Sequence, residues 1–271
     1  MNKLGTKAET LRLLYLQLNN AQVLPAFYFT AEEWEKDKGS VIKGFEKLEW
    51  KERVIVRSSA LNEDSQESSL AGKYDSIADV CGIEAFKDAV DRVIASYGDD
   101  NSENQILVQP MLQDVSVCGV AFTLEPNTLG NYYVINYDET GSTSAITSGS
   151  GEDNYLYYLF KDADEQIYPQ KLRQLILTLK ELEIFFGQDN LDVEFAITGE
   201  DELYILQVRA LCVQQNRIDR ARQGQELSRI ADKIKLVSRQ KPFLCGEKAI
   251  FSVMTDWNPA EMIGVRPNRG I

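Results

Sequence analysis

The chain has 271 residues, 44% of them hydrophobic and 26% charged, with a formal net charge of -13. That length suits one large domain or two modest ones, and the negative balance argues against a nucleic-acid partner, which needs a basic face. No histidine is present, which excludes Ser-His-Asp and Cys-His chemistry and any phosphohistidine within this chain.

The four cysteines, Cys81, Cys118, Cys212 and Cys245, form no CxxC pair, and without histidine they complete no zinc set. The N-terminal stretch LRLLYLQL is too short and interrupted for a signal peptide. No run approaches the roughly 20 apolar residues of a membrane span. The reading is therefore a reduced, cytoplasmic chain with no membrane segment. An acidic protein can still set local Lys and Arg into a positive cleft, so phosphate ligands stay open.

In chain order, Gly5-Thr6-Lys7 leads into a helix marked by Leu11, Leu14 and Leu18. Lys7 at a helix start opposes the helix dipole, so it gains nothing there unless an anion lies near. VLPAFYF (23–29) predicts an apolar strand entered through Pro25, and Thr30 caps a following helix with Glu32 and Glu33 in its first turn. The segment 37–51 predicts a second, surface helix. RVIVRSSA (53–60) predicts a strand with Val54 and Val56 on one face and Ile55 and Arg57 on the other. An Arg on such a strand is costly unless paired. The polar loop 62–76 holds Ser65, Ser68, Ser69 and Gly72. It can either fold over phosphates or be a plain surface loop, and it contains no Walker-type P-loop.

Residues 83–97 predict a helix with Phe86, Val90, Val93, Ile94 and Tyr97 in one stripe. Strands are expected over 106–112, running into a hinge at Pro110, and over 114–126 and 132–138. GSTSAITSGSGEDN (141–154) reads as a small-residue loop or short strand. A helix opens at Pro169 and buries Leu172, Leu175, Ile176, Leu179, Leu182 and Phe186. A charged connector helix is expected over 213–237, and the last part starts a strand that nothing after Pro267 buries, as if cut within a domain.

LDVEFAITGEDELYILQVRAL (191–211) predicts a β-hairpin turning at Gly199–Glu202. That loop sets Thr198 opposite Leu203, Glu194 opposite Gln207 and Asp192 opposite Arg209. One face then carries Asp192, Glu194, Gln207 and Arg209. The other carries Val193, Phe195, Ile197, Tyr204, Leu206 and Val208, a core face. A one-residue change in the loop breaks the arrangement, because it flips a strand's faces. Hard oxygen ligands suit Mg²⁺ and a guanidinium fork suits phosphate, so the polar face is a candidate metal–nucleotide site. A solvated edge hairpin is the other reading.

Four stretches, GTKAETLRLL, VIVRSSALNEDSQESSLAGKYDS, ILVQPMLQDVSVCGVAFTLEP and the hairpin, resemble in that order the N-terminal ATP-binding domain of phosphoenolpyruvate synthase, pyruvate phosphate dikinase and their relatives. Together they span about residues 1–212. The resemblance implies an α+β fold of ATP-grasp type, with an N-terminal lobe over 1–105 and a C-terminal lobe over 106–212. A helical connector over 213–243 and the start of an acceptor-substrate domain over 244–271 would follow. By motif match, Lys7, Arg57 and Arg209 would hold phosphates and serve catalysis, Gly72 would lie in the phosphate-covering loop, and the backbone from Gln109 through Met111 to Leu112 would meet adenine. Glu194 and Gln207 would bind Mg²⁺ with Asp192 beside the metal. ATP and Mg²⁺ are the implied cofactors.

The tail FSVMTDWNPAEMIG and VINYDETGSTSAITSG resemble a branch found with capsule and surface-polysaccharide genes, which includes L-glutamine kinase. That likeness implies a phosphohistidine carrier domain in the full-length protein and a small-molecule acceptor bound by a further domain. A synthase, an antibiotic phosphotransferase and a non-catalytic ATP-binding module are the alternatives. The loop around Gly72 is poorer in glycine than the family's, which puts its phosphate grip in doubt.

Overall fold

A computed structural model describes residues 2–61, 74–98, 102–139, 154–211 and 217–239. Two compact units result, one over Met1–Ile218 and one over Asp219–Ile271.

In the first unit, two sheets carry the architecture. The smaller runs in the order Phe27–Thr30, Gln105–Pro110, Val54–Ser59, Ser76–Val80, and the larger Gln22–Val23, Leu203–Ala210, Leu191–Thr198, Val115–Phe122, Tyr132–Asp138, Asn154–Phe160. The smaller sheet is built from β2 (Phe27–Thr30), β3 (Val54–Ser59), β4 (Ser76–Val80) and β5 (Gln105–Pro110). Val54, Val56, Phe29, Ile106 and Val108 point to one face, where α2 (Ala31–Lys36), α3 (Lys38–Glu46) and α4 (Ile83–Ser96) supply Trp34, Phe45, Phe86, Val90 and Val93. Each of α2 and α3 starts at a side-chain cap, Thr30 on Glu33 and Asp37 on Ser40.

The larger sheet holds β1 (Gln22–Val23), β6 (Val115–Phe122), β7 (Tyr132–Asp138), β8 (Asn154–Phe160), β9 (Leu191–Thr198) and β10 (Leu203–Ala210). Its core face takes α1 (Lys7–Leu14) and α5 (Gln170–Phe186), the latter closed by Gly187 at φ 67°. Leu107 belongs to this second core while its neighbours Ile106 and Val108 belong to the first, so β5 is buried on both faces. Arg57 is paired with Leu107, on the face turned away from the aromatic core.

Two sequence expectations are corrected. Residues 23–29 are not one strand. Gln22–Val23 pair with β10 in the larger sheet and Phe27–Thr30 with β5 in the smaller. Pro25 lies between them and has no N–H to continue a ladder. The hairpin register also differs. Thr198 N–H donates to Glu202 O, so the connection is 199–201, with Asp201 at φ 61°. This tighter turn sets Leu203 opposite Ile197 rather than Thr198. A bulge between Ile205 and Gln207 then restores the expected pairs Gln207–Glu194 and Arg209–Asp192. As a consequence Leu203 and Ile205, not Tyr204 and Leu206, join Phe195, Ile197 and Val208 in the core.

The second unit is described through α6 (Arg220–Val237), capped by Asp219 on the Arg222 N–H at 2.7 Å. It buries none of its residues, and Ile230, Ile234 and Leu236 are exposed.

Candidate functional site

The site lies on the face of the larger sheet opposite its apolar core. Strand alternation puts Asp192 and Glu194 of β9 there, with Gln207 and Arg209 of β10 directly opposite them. The β6 pairing adds Val120 beside Glu194 and Phe122 beside Asp192. Asp192 and Gln207 are buried at 5% and 3% exposure, so this is not a solvated edge. Arg209 donates from Nε and Nη2 to Asp192 Oδ2, each at 2.7 Å.

Arg57 reaches this face from the smaller sheet. Its Nη2 meets Glu194 Oε2 at 3.3 Å and its Nη1 donates to the Leu206 carbonyl at 3.3 Å. Leu206 is the bulge residue, so the irregularity that restores the β10 register also presents the carbonyl that Arg57 uses. Arg57 Nε is a buried donor with no partner among the described residues. A phosphate oxygen is an acceptor of the right kind for such a group.

Electrostatics bind the group together. Burial pushes the Glu194 carboxyl up, but Arg57, Lys7 and Arg209 outweigh it and hold the group below its ordinary range. Asp192 goes the other way: burial raises it, Arg209 only partly pulls it back, and Glu194 adds to the rise. Lys7 is thus a buried cation at the start of α1 whose charge acts on an anion, which removes the objection from the helix dipole.

Six of the sequence-predicted residues come together here: Lys7, Arg57, Asp192, Glu194, Gln207 and Arg209. The stretch from Gln109 to Leu112, expected to meet adenine, lies at the end of β5 and just after it. The Gln109 side chain is buried and donates to Leu24 O at 3.3 Å. The Met111 N–H is already bonded to Arg53 O at 2.9 Å, and Leu112 is half-buried. Gly72 lies outside the described residues. Sequence reasoning missed the Leu206 carbonyl, for which no residue type gives a signal. It also missed the capping box Thr6–Glu9, which the T-x-x-E spacing does signal.

Among the described residues no three His, Cys, Asp or Glu side chains converge as a self-sufficient metal cage. Two carboxylates and an amide oxygen do share one face, and that set fits Mg²⁺, which keeps several waters and takes its remaining ligands from substrate phosphates.

Residues 31–165 match the family described as pyruvate phosphate dikinase, AMP/ATP-binding domain. The match includes Arg57 and β5; Lys7 and the hairpin lie outside it. A curated relative, the probable phosphoenolpyruvate synthase of Methanothermobacter thermautotrophicus, is 33% identical over 111 residues, covering 36% of this chain and 16% of the relative. Solved structures similar to the chain include the D-alanine-D-alanine ligase of Helicobacter pylori, at 15% identity and a TM-score of 0.45, covering 76% of this chain and 54% of that one. Another is the VanG D-Ala:D-Ser ligase of Enterococcus faecalis, at 12% identity and a TM-score of 0.43, covering 84% and 60%. The chain thus spans a small part of the synthase relative and about half to three-fifths of the ligases. No helix among the described residues is long and apolar enough to cross a membrane. Over residues 31–165 the chain is thus similar to the AMP/ATP-binding domain of pyruvate phosphate dikinase.

Proposed function

We propose that this chain is the ATP-binding portion of a multidomain phosphotransferase of ATP-grasp type, with the nucleotide held between the two sheets. The observation that carries the reading is Arg57 of one sheet meeting Glu194 of the other. Lys7, Arg57 and Arg209 would neutralise charge on the phosphates and on the group in transfer. Asp192 fixes the Arg209 fork from below. Glu194 and Gln207 would hold Mg²⁺, with Asp192 close by, and the metal would supply further neutralisation of the phosphates. Because the Met111 N–H is occupied by Arg53, a purine would meet this segment through Leu112 or through carbonyl oxygens.

The phosphoryl group would pass to a carrier histidine on another domain, since this chain has no histidine. From there it would reach a small acceptor, for which the side-chain amide of L-glutamine is our choice. The family relative favours a second reading, a phosphoenolpyruvate synthase-like enzyme. Titration calorimetry of the intact chain tests the shared part: the expected result is ATP binding that requires Mg²⁺, and its absence sinks both readings. Addition of the carrier and acceptor domains with labelled ATP then separates them, by whether glutamine or pyruvate becomes labelled.

A further inference from the structure

Lys7 opens α1, and a hydrogen-bond network outside the phosphate face holds its backbone. Thr6 caps the helix, accepting from the Glu9 N–H at 3.3 Å while Glu9 Oε2 accepts from the Thr6 N–H at 3.1 Å. This capping box is complete in itself. Yet the Thr6 hydroxyl also donates to Gln105 Oε1 at 2.6 Å, and Gln105 Nε2 donates to Glu9 Oε1 at 3.1 Å. One amide therefore engages both members of the cap from 96 to 99 residues away.

A second tie lies beside it. The Ala8 N–H, next to Lys7, donates to Ser59 Oγ at 3.0 Å. The Ser59 N–H meets the Tyr97 hydroxyl at 3.2 Å, and that hydroxyl donates to the Gln105 carbonyl. Ser59 and Gln105 are paired across β3 and β5, and Arg57 stands two residues before Ser59 on the same strand. The body of α1 packs elsewhere: Ala8, Leu11 and Leu14 lie in the core of the larger sheet. The helix is thus packed against one sheet and hydrogen-bonded at its first turn to the other.

We propose that Gln105 is a positioning residue that sets the first turn of α1, and with it the Lys7 ammonium, against Arg57 and Glu194. The proposal rests on the nucleotide-site reading. Gln105 has no part in capping the helix, which Thr6 and Glu9 accomplish alone. Its amide instead fixes where the capped end sits relative to the strand that carries Arg57.

The test uses the intact chain and titrates MgATP and, separately, adenosine, which has no phosphate. Gln105→Leu should weaken MgATP binding roughly tenfold and leave adenosine binding unchanged. Added to Lys7→Ala it should cause no further loss, since both changes remove the same contact. Thr6→Ser, which keeps both the cap and the hydroxyl that donates to Gln105, should retain wild-type affinity. Equal losses for both ligands, or losses that add to that of Lys7→Ala, overturn the proposal. Wild-type protein that binds no MgATP would mean that the nucleotide reading itself has failed. Acetic anhydride labelling then decides the positioning claim alone. Lys7 should be protected relative to exposed lysines and become several-fold more reactive in Gln105→Leu, well below the melting temperature. Unchanged labelling overturns it.

Discussion

Arg57 and Leu206 are joined by a hydrogen bond from Nη1 to the carbonyl oxygen, at the residue where β10 departs from its ladder. The same guanidinium meets Glu194 at 3.3 Å, so one side chain ties a strand of the smaller sheet to both strands of the hairpin. Neither group is solvent-dominated: the Arg57 and Glu194 side chains are 14% and 27% exposed. Arg57→Ala should therefore destabilise the chain by about 2 kcal/mol, the scale of a lost charge-assisted contact. Arg57→Lys should recover only part, because an ammonium cannot serve two diverging acceptors as a planar fork does. Urea denaturation of the three proteins measures this, and equal stability of the Lys and wild-type forms would contradict it.

The two acids of the site carry opposite linkages to pH. Glu194 is held below the usual 4.5, so its contribution to stability is present above that value and lost as pH falls through the depressed one. Asp192 is held above the usual 3.8, so its contribution is present below that value and lost as pH rises through the raised one. Carboxyl-carbon NMR titration should find Asp192 above an ordinary aspartate and Glu194 below an ordinary glutamate. Arg57→Ala should move Glu194 upward, since burial then meets less opposition. An Asp192 that titrates at or below the ordinary value would refute the buried arrangement.

On the proposed nucleotide reading, loss of one preorganised charge contact should cost about 3 kcal/mol in the transition state. Glu194→Ala and Arg209→Ala are expected to show it in the complete enzyme, measured as kcat/KM. Arg209→Ala should in addition lower stability, because it strands the buried Asp192 carboxylate. Glu194→Ala takes the ion-pair partner from Arg57 but leaves it the Leu206 carbonyl. Variants that leave kcat/KM unchanged would remove these residues from the chemistry.

Gly119 lies where β6 crosses the core. A Cβ there would stand 2.4 Å from the Asn136 carbonyl oxygen and 2.9 Å from the Phe195 ring. Backbone on one side and a buried ring on the other leave nothing flexible to yield. Gly119→Ala should cost about 1–3 kcal/mol by thermal or urea unfolding. A neutral outcome would show that β6 and β7 can part more easily than the packing implies.

Lys161 is fully buried and pairs with Glu183, which also accepts from the Tyr133 hydroxyl at 2.9 Å; Lys161 donates in addition to the Asp189 carbonyl at 3.1 Å. Lys161→Met alone should cost about 3–5 kcal/mol, because it leaves a buried carboxylate without its cation. Adding Glu183→Gln should recover much of that loss, since an amide needs no counter-charge. Chemical unfolding of the single and double variants gives the comparison, and a double variant weaker than the single would overturn it.

Much of this fold was legible because burial leaves a period in the sequence. The stripe from Leu172 to Phe186 announced α5, and Val54 and Val56 announced the core face of β3. Asp192, Glu194, Gln207 and Arg209 were legible as one face because alternation along a strand is a local rule. β8 was not: NYLYYLF is nearly continuous in apolar residues, and such a run carries no period. β4 was hidden by its brevity and by the polar Ser76 and Asp79.

What only the tertiary structure decided is the register and the meeting of the sheets. The tighter turn at 199–201 and the bulge at Leu206 cancel, since each shifts the pairing by one residue in opposite senses. A local rule cannot count such slips, because a bulge is chosen by the packing of both partner strands and not by the residue that forms it. The sequence alone determined that Arg57 needed a partner, because an unpaired guanidinium on a half-buried strand is costly. That the partner is Glu194, 137 residues later, follows from how β3 and β9 are brought face to face, which chain-local chemistry does not encode.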